Sequence, residues 1–416
     1  MNFLRNYWQR IHGFSFNCQL FLAYQVVWGT AFGVVILLMN LYLAELGLSK
    51  DQIALVSSVR FFSSGLLAIP IALLLERRPR KGPMIVSSVL QAVCTLAFCF
   101  TTNYPLLLVE SFLLGVSGIG LTVLLPPFLM ENSQEGERTH LFSVFAASFW
   151  ASNMLGSALG GFLPVWFAGI ALGAGLAGQF RVTLVVMTAL TLVFTLLLFR
   201  LRPAPPAAAS RDPTVPTGSN ESPVHRAIPK FLLVEILIFL GAGLFMPFMN
   251  LYFFTRFGLS SGEIGVIFTI GSGLALLATL AAPFLAERLG KVRATVLCQV
   301  FSLPLLIGLA LVGNPIMAAA LYIVRLALMN MSNPLMDSFA MEIVPPRLRV
   351  TFTSMLRSTQ PLAWAAMGPV AGVLMEGAGF SIQFYIGAGL YALALLTLLG
   401  FFGRVEKRRG TGAAPS

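Results

Sequence analysis

The sequence predicts an all-α polytopic membrane protein, with twelve transmembrane helices in two pseudo-symmetric six-helix bundles. Three observations predict it. The chain is 57% hydrophobic and 10% charged, against roughly 25% charged in soluble domains. Its apolar residues fall into twelve long runs, and about 20 apolar residues cross the bilayer core as a helix. The chain also repeats itself. Gly47-Leu48-Ser49 … Ile53 … Glu76-Arg77 recurs as Gly258-Leu259-Ser260 … Ile264 … Glu287-Arg288, an offset of 211 residues. A long repeat in an apolar chain points to a transporter.

In order, the runs are 20–44, 52–75, 84–101, 104–130, 141–163 and 180–200, then 230–254, 263–286, 294–312, 315–341, 351–375 and 382–403. Period-two barrel strands of about 10 residues do not fit runs so long. Irregular backbone cannot face lipid, so each run reads as a helix. The gaps repeat too. Asn103 maps onto Asn314, Met130-Glu131 onto Met341-Glu342, Arg138 onto Arg349, and Gly161 onto Gly372. Beyond the fifth run the offset falls to 204, matching Gln179-Phe180 with Gln383-Phe384 and Arg200 with Arg404. The loop 164–178, with Gly169, Gly173, Gly175 and Gly178, holds that insertion. It is apolar and expected outside, at the membrane surface. Residues 203–229 contain seven prolines among Ser, Thr and Ala and read as a flexible linker between halves 1–202 and 230–416. Six helices is an even number, so the halves are parallel repeats with a cavity between them near mid-membrane.

The net charge of +11 follows from topology rather than from a nucleic-acid partner. With both termini inside, twenty-one of the 27 lysines and arginines lie in cytoplasmic segments, as the positive-inside rule requires. The cytoplasmic membrane is the expected location. Arg5, Tyr7, Trp8 and Arg10 read as an interfacial anchor, and the first run is too long for a signal h-region. Cys18, Cys94, Cys99 and Cys298 lack metal spacing and read as packing residues. His12, His140 and His225 all fall on the cytoplasmic side, so no buried histidine relays protons. A Gly-Lys-Ser/Thr phosphate loop is absent, which argues against ATP-driven transport. No metal and no cofactor are expected.

The segment after the second run of each half resembles the loop signature of the major facilitator superfamily. That signature is Gly, three residues, Asp, a basic residue, any residue, Gly, then basic residues. Here the first copy reads Ala72 … Glu76-Arg77-Arg78-Pro79-Arg80-Lys81 and the second Glu287-Arg288-Leu289-Gly290-Lys291-Val292-Arg293. The resemblance covers the whole chain and implies alternating access. It implies a cytoplasmic gate of Glu76, Arg77, Arg80, Glu287 and Arg288, whose charge-assisted bonds hold the halves together. Glu131 with Arg138 and Glu342 with Arg349 repeat that logic at the next loop. The fifth helix of export-type members often carries Gly-Pro, two residues, Gly-Gly. This chain has Gly156-Ser157-Ala158-Leu159-Gly160-Gly161 and Gly368-Pro369-Val370-Ala371-Gly372-Val373. The fourth-helix arginine of proton-coupled drug exporters is absent.

Ionisable groups inside spans face a cavity or a partner. Six qualify: Arg60, Glu110, Glu235, Arg325, Asp337 and Arg357. Asp337 and Arg357 share a depth and are expected to pair, as are Glu110 and Arg60. Arg325 has no obvious partner, so it is the residue to meet an anionic group on a substrate. Glu235, near the cytoplasmic end, is expected to snorkel. Gln25, Asn153, Asn330, Asn333 and Gln360 complete the expected cavity set. Asn333-Pro334 is expected to break the tenth helix and free carbonyls. Trp28, Trp150 and Trp364 read either as apolar walls or as packing. Glu110 and Asp337 are the expected proton carriers.

These residues describe a monomeric secondary active transporter of a small organic solute, coupled to protons. Two readings of the cargo stand: efflux of amphipathic compounds, or uptake or exchange of an anionic or polar metabolite. A membrane enzyme would need a catalytic His–Asp or metal cluster, and His140 stands alone among Ser and Thr. A receptor on a decayed transport fold would have no use for buried charge.

Overall fold

The computed structural model describes residues 14–76, 78–169, 175–202, 222–344 and 349–410. Among them it is helical throughout, with no strand. Six helices make the first half: α1 (Phe16–Glu45), α2 (Lys50–Glu76), α3 (Lys81–Phe100), α4 (Tyr104–Glu131), α5 (Glu135–Trp166) and α6 (Gly175–Phe199). The second half holds α7 (Ser222–Gly243), α8 (Met249–Phe257), α9 (Ser261–Leu289), α10 (Lys291–Leu311), α11 (Pro315–Ile343), α12 (Arg349–Gly377) and α13 (Phe380–Gly410). A 3-10 turn, Met246–Phe248, joins α7 to α8, and the two form one interrupted span. Among the described residues, ten segments are long and apolar enough to cross a membrane by length and composition. The other two long helices, α5 and α12, have 32 and 29 residues and are the more polar. They carry Ser148, Ser152, Asn153 and Ser157, and Arg357, Ser358, Thr359 and Gln360.

The repeat is written in the caps. Asn103 accepts from the Leu106 N–H at 3.2 Å and starts α4; Asn314 accepts from the Ile316 N–H at 2.8 Å and starts α11. A proline follows each cap, where a missing N–H costs nothing. Gly47 and Gly258 both take positive φ, 86° and 65°, the left-handed conformation that favours glycine after a helix. Two residues on, the Ser49 N–H donates to Gln52 and the Ser260 N–H to Glu263, one side of a capping box in each half.

The chain folds as two compact units, neither of which is a sequence half alone. Unit 1 takes residues 1–47 and 66–213 together with 260–269, the start of α9. Unit 2 takes 214–259 and 270–416 together with 48–65, which include the first part of α2. We call the end of unit 1 that carries Arg202 and the end of unit 2 that carries Ser222 the linker end, and the opposite one the far end. At the linker end of unit 1, Asn17 donates to Asn132 and to the Arg202 carbonyl, while Lys81 donates to the carbonyls of Phe199 and Leu201. Phe21, Tyr24, Phe128 and Phe145 pack beneath them. In unit 2 Arg256 caps the end of α10 through the carbonyls of Ala310 and Val312. Large apolar side chains such as Ile316, Leu311 and Leu277 stay exposed, as expected of a surface solvated by lipid.

The tenth span departs from its expected break. α11 runs unbroken through Pro334. Pro334 has no N–H to give the Asn330 carbonyl, and the Thr279 hydroxyl of α9 donates to that oxygen at 3.3 Å instead. A neighbouring helix thus satisfies the freed group, and the helix need not open. The loop 164–178 is also shorter than expected: α5 and a 3-10 turn reach Gly169 and α6 begins at Gly175.

Candidate functional site

Unit 2 holds a buried arginine. Arg325 is 2% exposed. Its guanidinium lies 4.7 Å from the Phe245 ring and 5.2 Å from that of Tyr391, and Nη1 meets the Met246 sulfur at 3.7 Å. Nε and Nη2 are buried without a hydrogen-bond partner. Aromatic faces attract the cation, but two donor nitrogens remain unsatisfied. Phe245 and Met246 stand where α7 ends and the 3-10 turn begins. That interruption is absent from the sequence reading; its signal is Pro247 inside run 230–254. Interrupted spans are where transporters hold ions and solutes. Glycine makes the approach of the neighbours possible: a Cβ on Gly241 would sit 3.2 Å from the Gly387 carbonyl, and one on Gly243 would sit 3.0 Å from the Trp364 Cα.

Nearer the linker end, unit 2 carries a second set. Asn333 and Asp337 lie one turn apart on α11, and Arg357 and Gln360 one turn apart on α12; all four are exposed. At about 1.5 Å per residue, Asp337 and Arg357 lie roughly 10 Å inside their helix ends. A charge at that depth is costly against lipid. Among the described residues Asp337 and Arg357 form no ion pair within 4.0 Å, contrary to expectation. Glu235 of α7 is half-buried. Asn330 turns back on its own helix, donating to the Leu326 carbonyl at 2.9 Å.

Unit 1 offers aromatic surface. Trp28 and Phe32 stack at 5.4 Å, Phe149 lies 6.2 Å from each, and Trp150 lies 6.2 Å from Phe149. All four are half-buried. The Trp28 indole donates to Gln91 at 2.9 Å, and Gln25 ties α1 to α5 through the Phe145 carbonyl at 2.9 Å. Asn153 donates to the Phe149 carbonyl of its own helix. Glu110 accepts from the Thr101 hydroxyl at 2.7 Å through one oxygen, and its other oxygen is buried without a partner. Its expected partner Arg60 belongs to unit 2. Arg60 is half-buried there, with no side-chain hydrogen bond or ion pair among the described residues.

The gate residues divide. Glu131 pairs with Arg80 at 3.0 Å, inside unit 1, where the sequence reading expected Glu131 in an ion pair between the halves. Glu287 and Arg288 are exposed and carry no side-chain partner among the described residues. Arg77 and the side chains of Glu76, Glu342 and Arg349 lie outside the described residues. Small residues bring helices together at the far end of each unit. In unit 1 a Cβ on Gly265 would sit 2.7 Å from the Gly161 Cα, and Ser261 donates to the Gly161 carbonyl at 3.2 Å. In unit 2 a Cβ on Gly372 would sit 2.7 Å from the Asp51 Cα, and the Lys50 ammonium donates to the Met375 carbonyl at 3.3 Å.

Two repeated six-span halves, polar groups confined to a few helices and glycine-mediated contacts define a membrane transport protein. The profile of the Major Facilitator Superfamily matches residues 20–230 and again 231–416. The chain belongs to that superfamily of transporters. No curated protein sequence matches it. Among solved structures it is similar to a bacterial homolog of the human lysosomal transporter Spinster in an inward-facing, unoccupied conformation. That pair shares 18% identity with a TM-score of 0.71, covering 93% of this chain and 98% of the other. It is also similar to the nucleoside transporter NupG (13%, TM-score 0.74, 93% and 99% covered) and to a D-xylose-proton symporter (15%, 0.73, 92% and 98%). At these identities the likeness concerns the fold.

Proposed function

We propose that the chain is a secondary active transporter that exports amphipathic organic solutes by alternating access while protons move inward. It works as a monomer in the cytoplasmic membrane with both termini inside. The observation that carries this reading is the half-buried aromatic cluster of Trp28, Phe32, Phe149 and Trp150 beside the Gln91 amide. It offers a large apolar face with one polar handle, the surface an amphiphile needs. Asp337 and Glu235, with Arg357 nearby, supply carboxylates that could load and release a proton, and Glu110 supplies another. Cargo and proton would then be coupled if each binds better to a different state. A solved neighbour named as a proton symporter is in keeping with H+ as the coupling ion.

A second reading, uptake or exchange of an anionic or polar metabolite, is favoured by the unsatisfied N–H donors of Arg325. The neighbours named for a nucleoside and for D-xylose move polar cargo. Proteoliposomes under an imposed pH gradient separate the two. Gradient collapse with pooled cationic amphiphiles, and none with pooled sugars and organic anions, is the expected result. Collapse with the anions alone overturns export of amphiphiles.

A further inference from the structure

In unit 1, α2, α3 and α4 enclose a cavity of about 600 Å³ that takes no part in the sites above. Its walls are aliphatic, with Ile71, Leu74, Val86, Leu90 and Val116 among them, and its linker end is closed by Arg78. Leu74 and Val86 are 64% and 63% exposed, so the cavity has an apolar mouth rather than a sealed rim. Val116 lies fifteen residues inside the linker end of α4, so at about 1.5 Å per residue the cavity reaches roughly 20 Å into the membrane. That is a slot for a hydrocarbon chain.

The arginine at its end is uncommitted. Arg80 is held by Glu131, and Lys81 is spent on the carbonyls of Phe199 and Leu201. Arg78 is exposed, and its guanidinium has no hydrogen-bond or ion-pair partner among the described residues. A cation at the end of an aliphatic slot is complementary to a phospholipid of net negative charge. We propose that this groove is a binding site for an anionic phospholipid of the leaflet at the linker end, its phosphate on Arg78 and one acyl chain between Leu74, Val86 and Val116.

The test is lipid retention by the full-length protein in native mass spectrometry. The protein is released from bilayers of phosphatidylglycerol and phosphatidylcholine with identical acyl chains. Wild type is expected to retain phosphatidylglycerol preferentially. Arg78→Gln is expected to lower that preference roughly fivefold, the effect of one basic residue at an anionic surface. Val86→Trp, which fills the slot from its exposed wall, is expected to lower retention of both lipids. Arg288→Gln, an exposed arginine of unit 2, is the control for lipid retention alone and should leave the phosphatidylglycerol preference unchanged. Equal loss in Arg78→Gln and Arg288→Gln would reduce the effect to general surface charge and overturn the site. So would retention unchanged in both Arg78→Gln and Val86→Trp. Arg78→Lys, which keeps the charge, should keep the preference and guards against a folding defect in Arg78→Gln.

Discussion

Arg80 and Glu131 form an ion pair in which Nη2 and Nε reach the same carboxylate oxygen, at 3.0 and 3.1 Å. Both side chains are about one-fifth exposed, so water screens the pair only in part. It fastens the start of α3 to the end of α4, within one unit. Charge-assisted hydrogen bonds of this kind contribute about 1.5–3 kcal/mol each, reduced here by the remaining exposure. Glu131→Gln is therefore expected to lower the Tm of detergent-solubilised protein. The swapped pair Arg80→Glu with Glu131→Arg should recover part of the loss. A double-mutant cycle with no coupling would mean that the contact contributes nothing.

Much of this fold was legible because it is written twice. The Gly-Leu-Ser copies were visible as letters, and the structure shows why they recur: a left-handed glycine, then a serine that opens a helix, in each half. Asn103 and Asn314 were legible for the same reason. The linker-end pairings were not, because a row of arginines after a span satisfies the charge rule whichever one meets Glu131. The interruption at Phe245–Phe248 was also hidden. Its residues are apolar, and composition does not distinguish a helix from a helix with a 3-10 turn in it. Pro334 misled in the opposite direction, since Thr279 lies 51 residues away from the carbonyl it satisfies. Burial of Arg325 was anticipated, but its aromatic cage was not, because Phe245 and Tyr391 are distant in sequence and carry no motif.

Gly265→Val tests the far-end contact of unit 1. A Cβ at that position already meets the Gly161 Cα at 2.7 Å and the Ser157 carbonyl at 2.8 Å. Backbone cannot yield as a side-chain tip can, so the two helices must separate. Overpacking of this kind costs about 1–3 kcal/mol, enough to shift a two-state equilibrium some tenfold. The expected outcome is loss of transport with folded protein retained. A cysteine at Ser157, 5% exposed in the structure, should become reactive to a membrane-impermeant maleimide added from the far side. Unchanged reactivity and wild-type flux would remove this contact from the transport cycle.

Arg325 separates the two cargo readings. Arg325→Ala would leave a void in a packed site, so loss of transport there is ambiguous. Arg325→Met keeps most of the volume, retains contact with Phe245 and Tyr391, and removes a buried charge that lacks a carboxylate partner. Replacing such charges with apolar groups of similar size is often neutral or stabilising. The variant is expected to fold with a Tm at or above that of wild type and to keep amphiphile export. Loss of anion-driven gradient collapse in a protein that shows it, with the Tm unchanged, would instead assign Arg325 to the cargo.

Asp337 is the carboxylate whose removal should uncouple transport. It is exposed on a spanning helix, one turn from Asn333. Asn keeps its shape and removes the proton-carrying oxygen. Asp337→Asn is thus expected to bind cargo within about fivefold of wild type, since a screened, exposed charge contributes about 1 kcal/mol or less. It should lose proton flux driven by that cargo. Because Asp337 and Arg357 are not in ion-pair contact, reversing both should rescue little of the damage done by either reversal alone. Strong rescue would show that the two meet in another state of the cycle, and would make the pair itself the moving part. Glu235→Gln is the companion measurement. If it uncouples as completely as Asp337→Asn, the proton is shared between α7 and α11; if it leaves coupling intact, Asp337 carries the proton alone.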